Sequence, residues 1–317
     1  MDKLEVIGGK KLQGSIIISG SKNATLPILA ASILSKNVVI KNVPFVKDIQ
    51  TMGSLLFSLG SKVRFNSKKK TIEINNPNKL NTFASYNLVK TMRAGVLVLG
   101  PLLAKYGKAK VSLPGGCAIG ARPIDLHIES LKKLGAKIKL LNGYIHATAK
   151  QGLKGTKINF SKVSVGATEN LLIAACTAKG KTILNNCSCE PEVKDLVNFL
   201  NKMGSKIKWI SKRKIQIDGV DHLNNCNYKV MFDRLETGTF MIAAAATNGK
   251  IILKNINPKI INCEISILKK MGVKFSEYKN KLVVKGNKRI KKIEVKTHPY
   301  PGFPTDLQAQ LMTLMCL

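Results

Sequence analysis

A thiol, an arginine and three glycines crowd into one short stretch, Pro114-Gly115-Gly116-Cys117-Ala118-Ile119-Gly120-Ala121-Arg122-Pro123. Glycines let a backbone turn sharply and come close to a ligand, and a guanidinium near a thiol favours the thiolate. Cys117 is therefore suited to proton donation or to nucleophilic attack. The same residue types also make a plain flexible loop with an incidental cysteine. Two further groups stand out. In Gly20-Ser21-Lys22-Asn23 a serine suited to capping a helix is followed by a cation, where the helix dipole also favours anions. The alternative there is a capped helix with a solvated lysine. In Pro299-Tyr300-Pro301-Gly302-Phe303-Pro304-Thr305-Asp306 the prolines stiffen a loop and set Asp306 at the mouth of a helix, as a proton acceptor or as a cap.

The chain of 317 residues carries 52 Lys and Arg against 18 Asp and Glu, a formal charge of +34. Such a balance would suit a nucleic-acid partner if the cations were clustered. They are scattered: lysine occurs in ones and twos from end to end, with a single run of three lysines at Lys68 to Lys70, and aromatic residues for stacking bases are few. No nucleic-acid partner is expected. Arginine stands only at positions 64, 93, 122, 213, 234 and 289. In a chain so biased toward lysine, each arginine is a candidate for two-pronged binding of phosphate or carboxylate, which lysine cannot reproduce. Seven cysteines without a recurring spacing read as thiols of a reducing compartment, so neither a disulfide nor a metal is expected. No apolar run has the length of a membrane span and the first residues do not resemble a signal peptide; the expectation is a cytoplasmic protein with no membrane contact.

The elements that must position these residues come from a repeat. Leu59-Gly60-Ser61-Lys62, Leu134-Gly135-Ala136-Lys137, Met203-Gly204-Ser205-Lys206 and Met271-Gly272-Val273-Lys274 share one pattern, with glycines 75, 69 and 68 residues apart. Each phrase closes an amphipathic helix with a left-handed glycine cap and opens a strand. Before each lies a more apolar helix, rich in Ala and Leu, beginning near Asn23, Leu88, Thr168 and Glu236, then a turn such as Lys179-Gly180-Lys181 and a short strand. The predicted unit is helix, strand, helix, strand, strand. Four units are complete, and a fifth starts at Pro301 and stops within its apolar helix at Leu317.

Ser21-Lys22-Asn23, the cysteine loop and the Pro-Gly-Phe-Pro-Thr-Asp run, in this order and spacing, resemble the UDP-N-acetylglucosamine 1-carboxyvinyltransferase family of enolpyruvyl transferases. So do Thr91-Met92-Arg93-Ala94, Lys162-Val163-Ser164-Val165-Gly166, Glu190-Pro191-Glu192 and Asp233-Arg234, colinear from Met1 to Leu317. The resemblance implies an α/β fold, the inside-out α/β barrel of the enolpyruvyl transferases, with three units in each of two domains and the active site in the cleft between them. Residues 22–231 would form one complete domain carrying the cysteine loop, and residues 1–21 with 232–317 a second, C-terminally truncated one.

The resemblance also implies roles. Phosphoenolpyruvate would be held by Lys22 and Arg122, with Asn23 orienting the reacting groups. The nucleotide sugar would meet Arg93 and the stretch Arg122, Pro123, Ile124, Asp125 and Leu126, with further contacts from Lys162, Val163, Ser164, Val165 and Gly166. Cys117 would act as general acid and Asp306 would take the proton of the sugar hydroxyl. The implied reaction moves the enolpyruvyl group to the 3-hydroxyl of UDP-N-acetylglucosamine, the first committed step of peptidoglycan precursor synthesis, with no cofactor. Two other readings stand beside it: transfer to shikimate 3-phosphate, and an inactive or regulatory nucleotide-sugar-binding remnant. The incomplete fifth unit leaves room for a complementing C-terminal fragment.

Overall fold

A computed structural model describes residues 3–115 and 124–317. The chain opens with β1 (Gln13–Ile17). The first unit follows as α1 (Lys22–Ala31), β2 (Asn37–Lys41), α2 (Lys47–Ser58), β3 (Lys62–Asn66) and β4 (Thr71–Asn75). A two-residue strand, β5 (Phe83–Ala84), leads to the second unit: α3 (Tyr86–Val89), a 3-10 helix Arg93–Val98, α4 (Leu99–Tyr106), β6 (Lys108–Ser112), α5 (Asp125–Lys133), β7 (Lys137–Leu141) and β8 (Tyr144–Thr148). Next come β9 (Lys157–Asn159) and the third unit, α6 (Val165–Ala175), β10 (Lys181–Asn185), α7 (Pro191–Lys202), β11 (Lys206–Ser211) and β12 (Lys214–Asp218). After β13 (Cys226–Lys229) the fourth unit is α8 (Arg234–Ala246), β14 (Lys250–Lys254), α9 (Asn262–Lys270), β15 (Lys274–Tyr278) and β16 (Lys281–Lys285), and α10 (Gln308–Met315) ends the described chain.

The four glycines that close the amphipathic helices all sit in the left-handed region, at φ between 95° and 103°. That conformation suits glycine, which has no Cβ to clash. Three of the four apolar helices run as expected. The second does not: the stretch from Leu88 is cut into α3, the 3-10 helix and α4. An unbroken helix would need an N–H from Pro101 to the carbonyl of Leu97, and proline has none, so the helix restarts at Leu99 with Pro101 in its first turn.

Each sheet has four strands, one more than the predicted unit supplies. In every case the third strand of the unit lies between the other two, and the first strand gains a parallel neighbour from a segment outside the unit. β5 pairs with β6, β9 with β10, and β13 returns across the chain to pair with β2, Cys226 opposite Val38. The three units within Gly20–Met231 thus close on themselves as one compact unit. The second compact unit joins Met1–Ser19 to Phe232–Leu317, with β1 serving as the parallel neighbour of β14.

Helices lie inside and sheets outside. Val38, Ile40, Ile72 and Ile74 of β2 and β4 are buried, while Lys41, Glu73 and Asn75 face water. Each such buried aliphatic side chain stabilises the fold by roughly 1.5–3 kcal/mol. Every residue of α1 from Ala24 and every residue of α6 from Ala167 is buried, which explains why these helices lack a polar stripe. Among the described residues no helix is long and apolar enough to cross a membrane.

Candidate active site

Three of the inner helices start with the same cap. Ser21 accepts from the Ala24 amide (3.3 Å), and the Thr25 hydroxyl donates back to the Ser21 carbonyl (2.7 Å). Ser164 repeats this with Ala167 (3.3 Å) and Thr168 (2.7 Å). Asp233 does so with Leu235 and Glu236 (2.8 and 2.9 Å) and with Thr237 (2.7 Å). A cap of this kind is worth about 1 kcal/mol. It also fixes the first turn, whose remaining N–H groups and dipole favour an anion.

The mouth of α1 is anchored where the three-unit ring closes. The Ser21 amide donates to the Met231 carbonyl (2.9 Å). Gly20 lies flush on the backbone of Asn42, where an added Cβ would fall 1.6 Å from the Asn42 carbonyl oxygen. Lys22, the first residue of α1, pairs with Asp48 of α2, Nζ to Oδ2 3.0 Å, with both side chains partly exposed. A pair so wetted contributes little stability. Asn23 follows, half-buried. Pro27, one turn on, has no N–H to offer the Asn23 carbonyl.

A second group gathers at α6. Arg93 heads the 3-10 helix and is exposed, while Ile124, Asp125 and Leu126 begin α5, the first and third half-buried and Asp125 exposed. Lys162 is exposed, Val163 and Ser164 are half-buried, Val165 is exposed and Gly166 half-buried, leading into α6. These three segments converge on His127, whose imidazole is buried against Gly166. Burial, and secondarily the charge of Arg93, hold the His127 pKa down to about 4, so the ring is neutral near pH 7. Both α5 and the 3-10 helix pack on α6, and α1 packs on the same 3-10 helix. Lys22 and Asn23 thus share a neighbouring element with Arg93.

Asp306 lies in a 3-10 turn, Thr305–Leu307, exposed just ahead of α10 in the other compact unit. Cys117, Arg122 and Pro123 lie outside the described residues.

Several polar groups of this region carry no motif of their own. Asp48, His127, Asn170 and Glu169 belong to it, and the available signal is polarity out of place: Thr168-Glu169-Asn170 interrupts an otherwise apolar helix. Glu169 is buried. Desolvation, then the nearby charges of Glu192 and Glu190, push its carboxyl well above the usual range. Asp195 in α7 is raised to about 6 by burial, partly offset by the Tyr228 hydroxyl, which donates to it at 2.7 Å.

Known proteins match over nearly the whole chain. The family described as EPSP synthase (3-phosphoshikimate 1-carboxyvinyltransferase) matches residues 6–316. A UDP-N-acetylglucosamine 1-carboxyvinyltransferase of Pelagibacter ubique (strain HTCC1062) is 61% identical over 317 residues, all of this chain and 76% of that protein. The protein of the same name from Geotalea uraniireducens (strain Rf4) is 52% identical over 318 residues, again 100% of this chain and 76% of the relative. Among solved structures, the enolpyruvyl transferase NikO from Streptomyces tendae superposes with a TM-score of 0.87 at 19% identity, over 97% of this chain and 73% of that one. EPSP synthase from Acinetobacter baumannii gives 0.69 at 19% identity, over 91% and 68%. These two establish the inside-out α/β barrel of the enolpyruvyl transferases as the fold. With one family spanning residues 6–316 and 61% identity across the full chain, this protein belongs to the enolpyruvyl transferases, within the group of UDP-N-acetylglucosamine 1-carboxyvinyltransferases.

Proposed function

We propose that the chain transfers the enolpyruvyl group of phosphoenolpyruvate to the 3-hydroxyl of UDP-N-acetylglucosamine and releases phosphate. The observation that carries this reading is the 61% identity along all 317 residues to a transferase of that name. The clustering of the mouth of α1, Arg93, Ile124–Leu126 and Lys162–Gly166 in one compact unit supports it.

The chemistry divides among groups suited to it. Cys117 delivers a proton to the methylene carbon of phosphoenolpyruvate. The adjacent carbon becomes cationic and is attacked by the sugar 3-oxygen, whose proton passes to the Asp306 carboxylate. The tetrahedral adduct then returns a proton from its new methyl group to the Cys117 thiolate, and the carbon–oxygen bond breaks with its electron pair leaving on phosphate, restoring the double bond. Lys22 and Arg122 hold the phosphate and carboxylate, and Asn23 orients the reacting groups. A fixed positive field of this kind stabilises charge that water would otherwise have to reorganise around. Ile124 to Leu126 and Lys162 to Gly166, with Arg93 and Pro123, hold the nucleotide sugar, the helix mouths offering N–H groups to its diphosphate.

Phosphate release by the purified chain, given both substrates, tests the reading. Release that requires both substrates and is lost in Cys117→Ala is the expected result. Release with shikimate 3-phosphate in place of the nucleotide sugar would assign a different acceptor, and no release from a folded sample would overturn the transferase reading for this chain.

A further inference from the structure

Asn170 sits in the middle of α6 with its amide fully buried. Its Nδ2 donates to the Val96 carbonyl at 3.2 Å and lies 3.0 Å from His127 Nδ1. A carbonyl oxygen can only accept, so Val96 requires the NH2 end of the amide and thereby fixes its orientation. The second N–H of that same nitrogen points to Nδ1, which must accept it. The imidazole proton is left on Nε2. That edge of the ring abuts α6 at its first turn: a Cβ built on Gly166 would stand 3.3 Å from both Cε1 and Nε2. On the opposite side, a Cβ on Gly100 would come within 2.2 Å of Asn170 Oδ1, so the amide is walled in as well as bonded.

We infer that Asn170 and His127 are positioning residues for nucleotide-sugar binding, one buried couple that ties together the three segments meeting that ligand. Val96 belongs to the 3-10 helix that Arg93 begins, His127 follows Ile124–Leu126 directly in α5, and Gly166 ends the Lys162–Gly166 stretch. The inference rests on the proposal that these segments bind the nucleotide sugar. The 3-10 helix has only six residues and is held from outside. A helix of eleven residues buried on most sides is a rigid reference for the 3-10 helix and for α5, both of which pack on it. A neutral ring suits the task, because a charge there would be stranded in the core. Gly166 and Asn170 face the imidazole without titrating, and Arg93 is the charged group whose field reaches it.

Two substitutions separate the ends of the couple in the full chain. His127→Asn keeps an acceptor near the Nδ1 position but no longer reaches Gly166, whereas His127→Gln reaches toward Gly166 and gives up the acceptor for Asn170. Each is expected to weaken UDP-N-acetylglucosamine binding by about tenfold, the equivalent of one buried hydrogen bond, measured by calorimetry well below the melting temperature. The KM for phosphoenolpyruvate should stay within about twofold, a split that general loss of packing would not produce. Nitrogen-15 spectra of the wild-type imidazole, which need no variant to fold, should show the Nε2–H tautomer with no protonation down to about pH 5. Unchanged nucleotide affinity in both variants, a parallel rise of both constants, or the Nδ1–H tautomer would each overturn the positioning role. Failure of the wild-type chain to bind the nucleotide sugar would instead overturn the functional reading on which that role rests.

Discussion

The second unit breaks the pattern that the other three keep. In the first, third and fourth units the residue after the first sheet strand is an asparagine in the left-handed region, Asn42 (φ 60°), Asn186 (φ 58°) and Asn255 (φ 62°). Each side-chain amide donates to a carbonyl just past the parallel neighbour strand, Val230, Phe160 and Ile18, in every case at 3.0 Å. Only then does the backbone resume its bonds, Val43 to Lys70, Cys187 to Arg213 and Ile256 to Asn280. The second unit has Leu113 at this place, and the Leu113 amide bonds to the Gly143 carbonyl directly (2.9 Å). The asparagine latch is missing, and the chain runs on into the segment that contains Cys117. The same unit is the one whose inner helix is cut, so that Arg93 heads a 3-10 turn. Three units use the position after the strand for stability, and the second gives it up where chemistry is proposed.

The difference can be sharpened or broken by substitution. Cys117→Ala in the second unit should lower phosphate release by about 10²–10⁴-fold, the usual range for a missing general acid, with no change in thermal midpoint. A variant that retained most of its activity would deny this unit its special role. Lys22→Ala should raise the KM for phosphoenolpyruvate by roughly 10- to 100-fold, as expected for loss of a charged hydrogen bond. Stability should hardly move, because the pair with Asp48 is wetted.

His127 makes stability depend on pH in a definite direction. Its folded pKa lies near 4, below the ordinary value of 6.5, so the unfolded chain binds more protons between those values. Stability therefore falls as pH drops through that window, by about 2 kcal/mol between pH 7 and pH 5 from this group alone. Asp195, raised to about 6, acts oppositely: its contribution is present below the ordinary carboxylate range and is lost as pH rises through 6. Denaturant melts of wild type and His127→Gln at both pH values isolate the histidine part; an identical pH dependence in the two proteins would show that the ring is not held neutral.

The latches predict the smallest effect and no effect on catalysis. Asn186→Ala should cost about 1–2 kcal/mol through the lost bond and the left-handed backbone. Asn186→Gly, which tolerates that backbone, should cost roughly half as much. Both should leave the KM for each substrate unchanged, and a kinetic defect in either would erase the division between stabilising and reactive positions.

Much of the fold was legible in the residues. Glycine caps, serine and aspartate caps and apolar periodicity act over three or four residues, so Gly60, Gly135, Gly204 and Gly272 marked the same helix end four times. The mouth of α1 was visible for the same reason, through Ser21. Asn42, Asn186 and Asn255 were less so, since an asparagine after a strand has many uses. His127 and Asn170 carried no motif; only a polar pair within an apolar helix hinted at them.

Local order, the repeat and the family were thus determined by the sequence itself, because each rests on short-range chemistry or on colinear motifs. Tertiary structure alone decided which strands close the sheets. β5, β9 and β13 have two to four residues, too few to show an alternating pattern, and β13 finds β2 across nearly the whole three-unit ring. It also decided that Arg93, Ile124–Leu126 and Lys162–Gly166 meet at one buried imidazole. Parallel pairing and side-chain convergence between distant segments are stabilised only once the intervening chain has folded, and so leave no trace in any local stretch of residues.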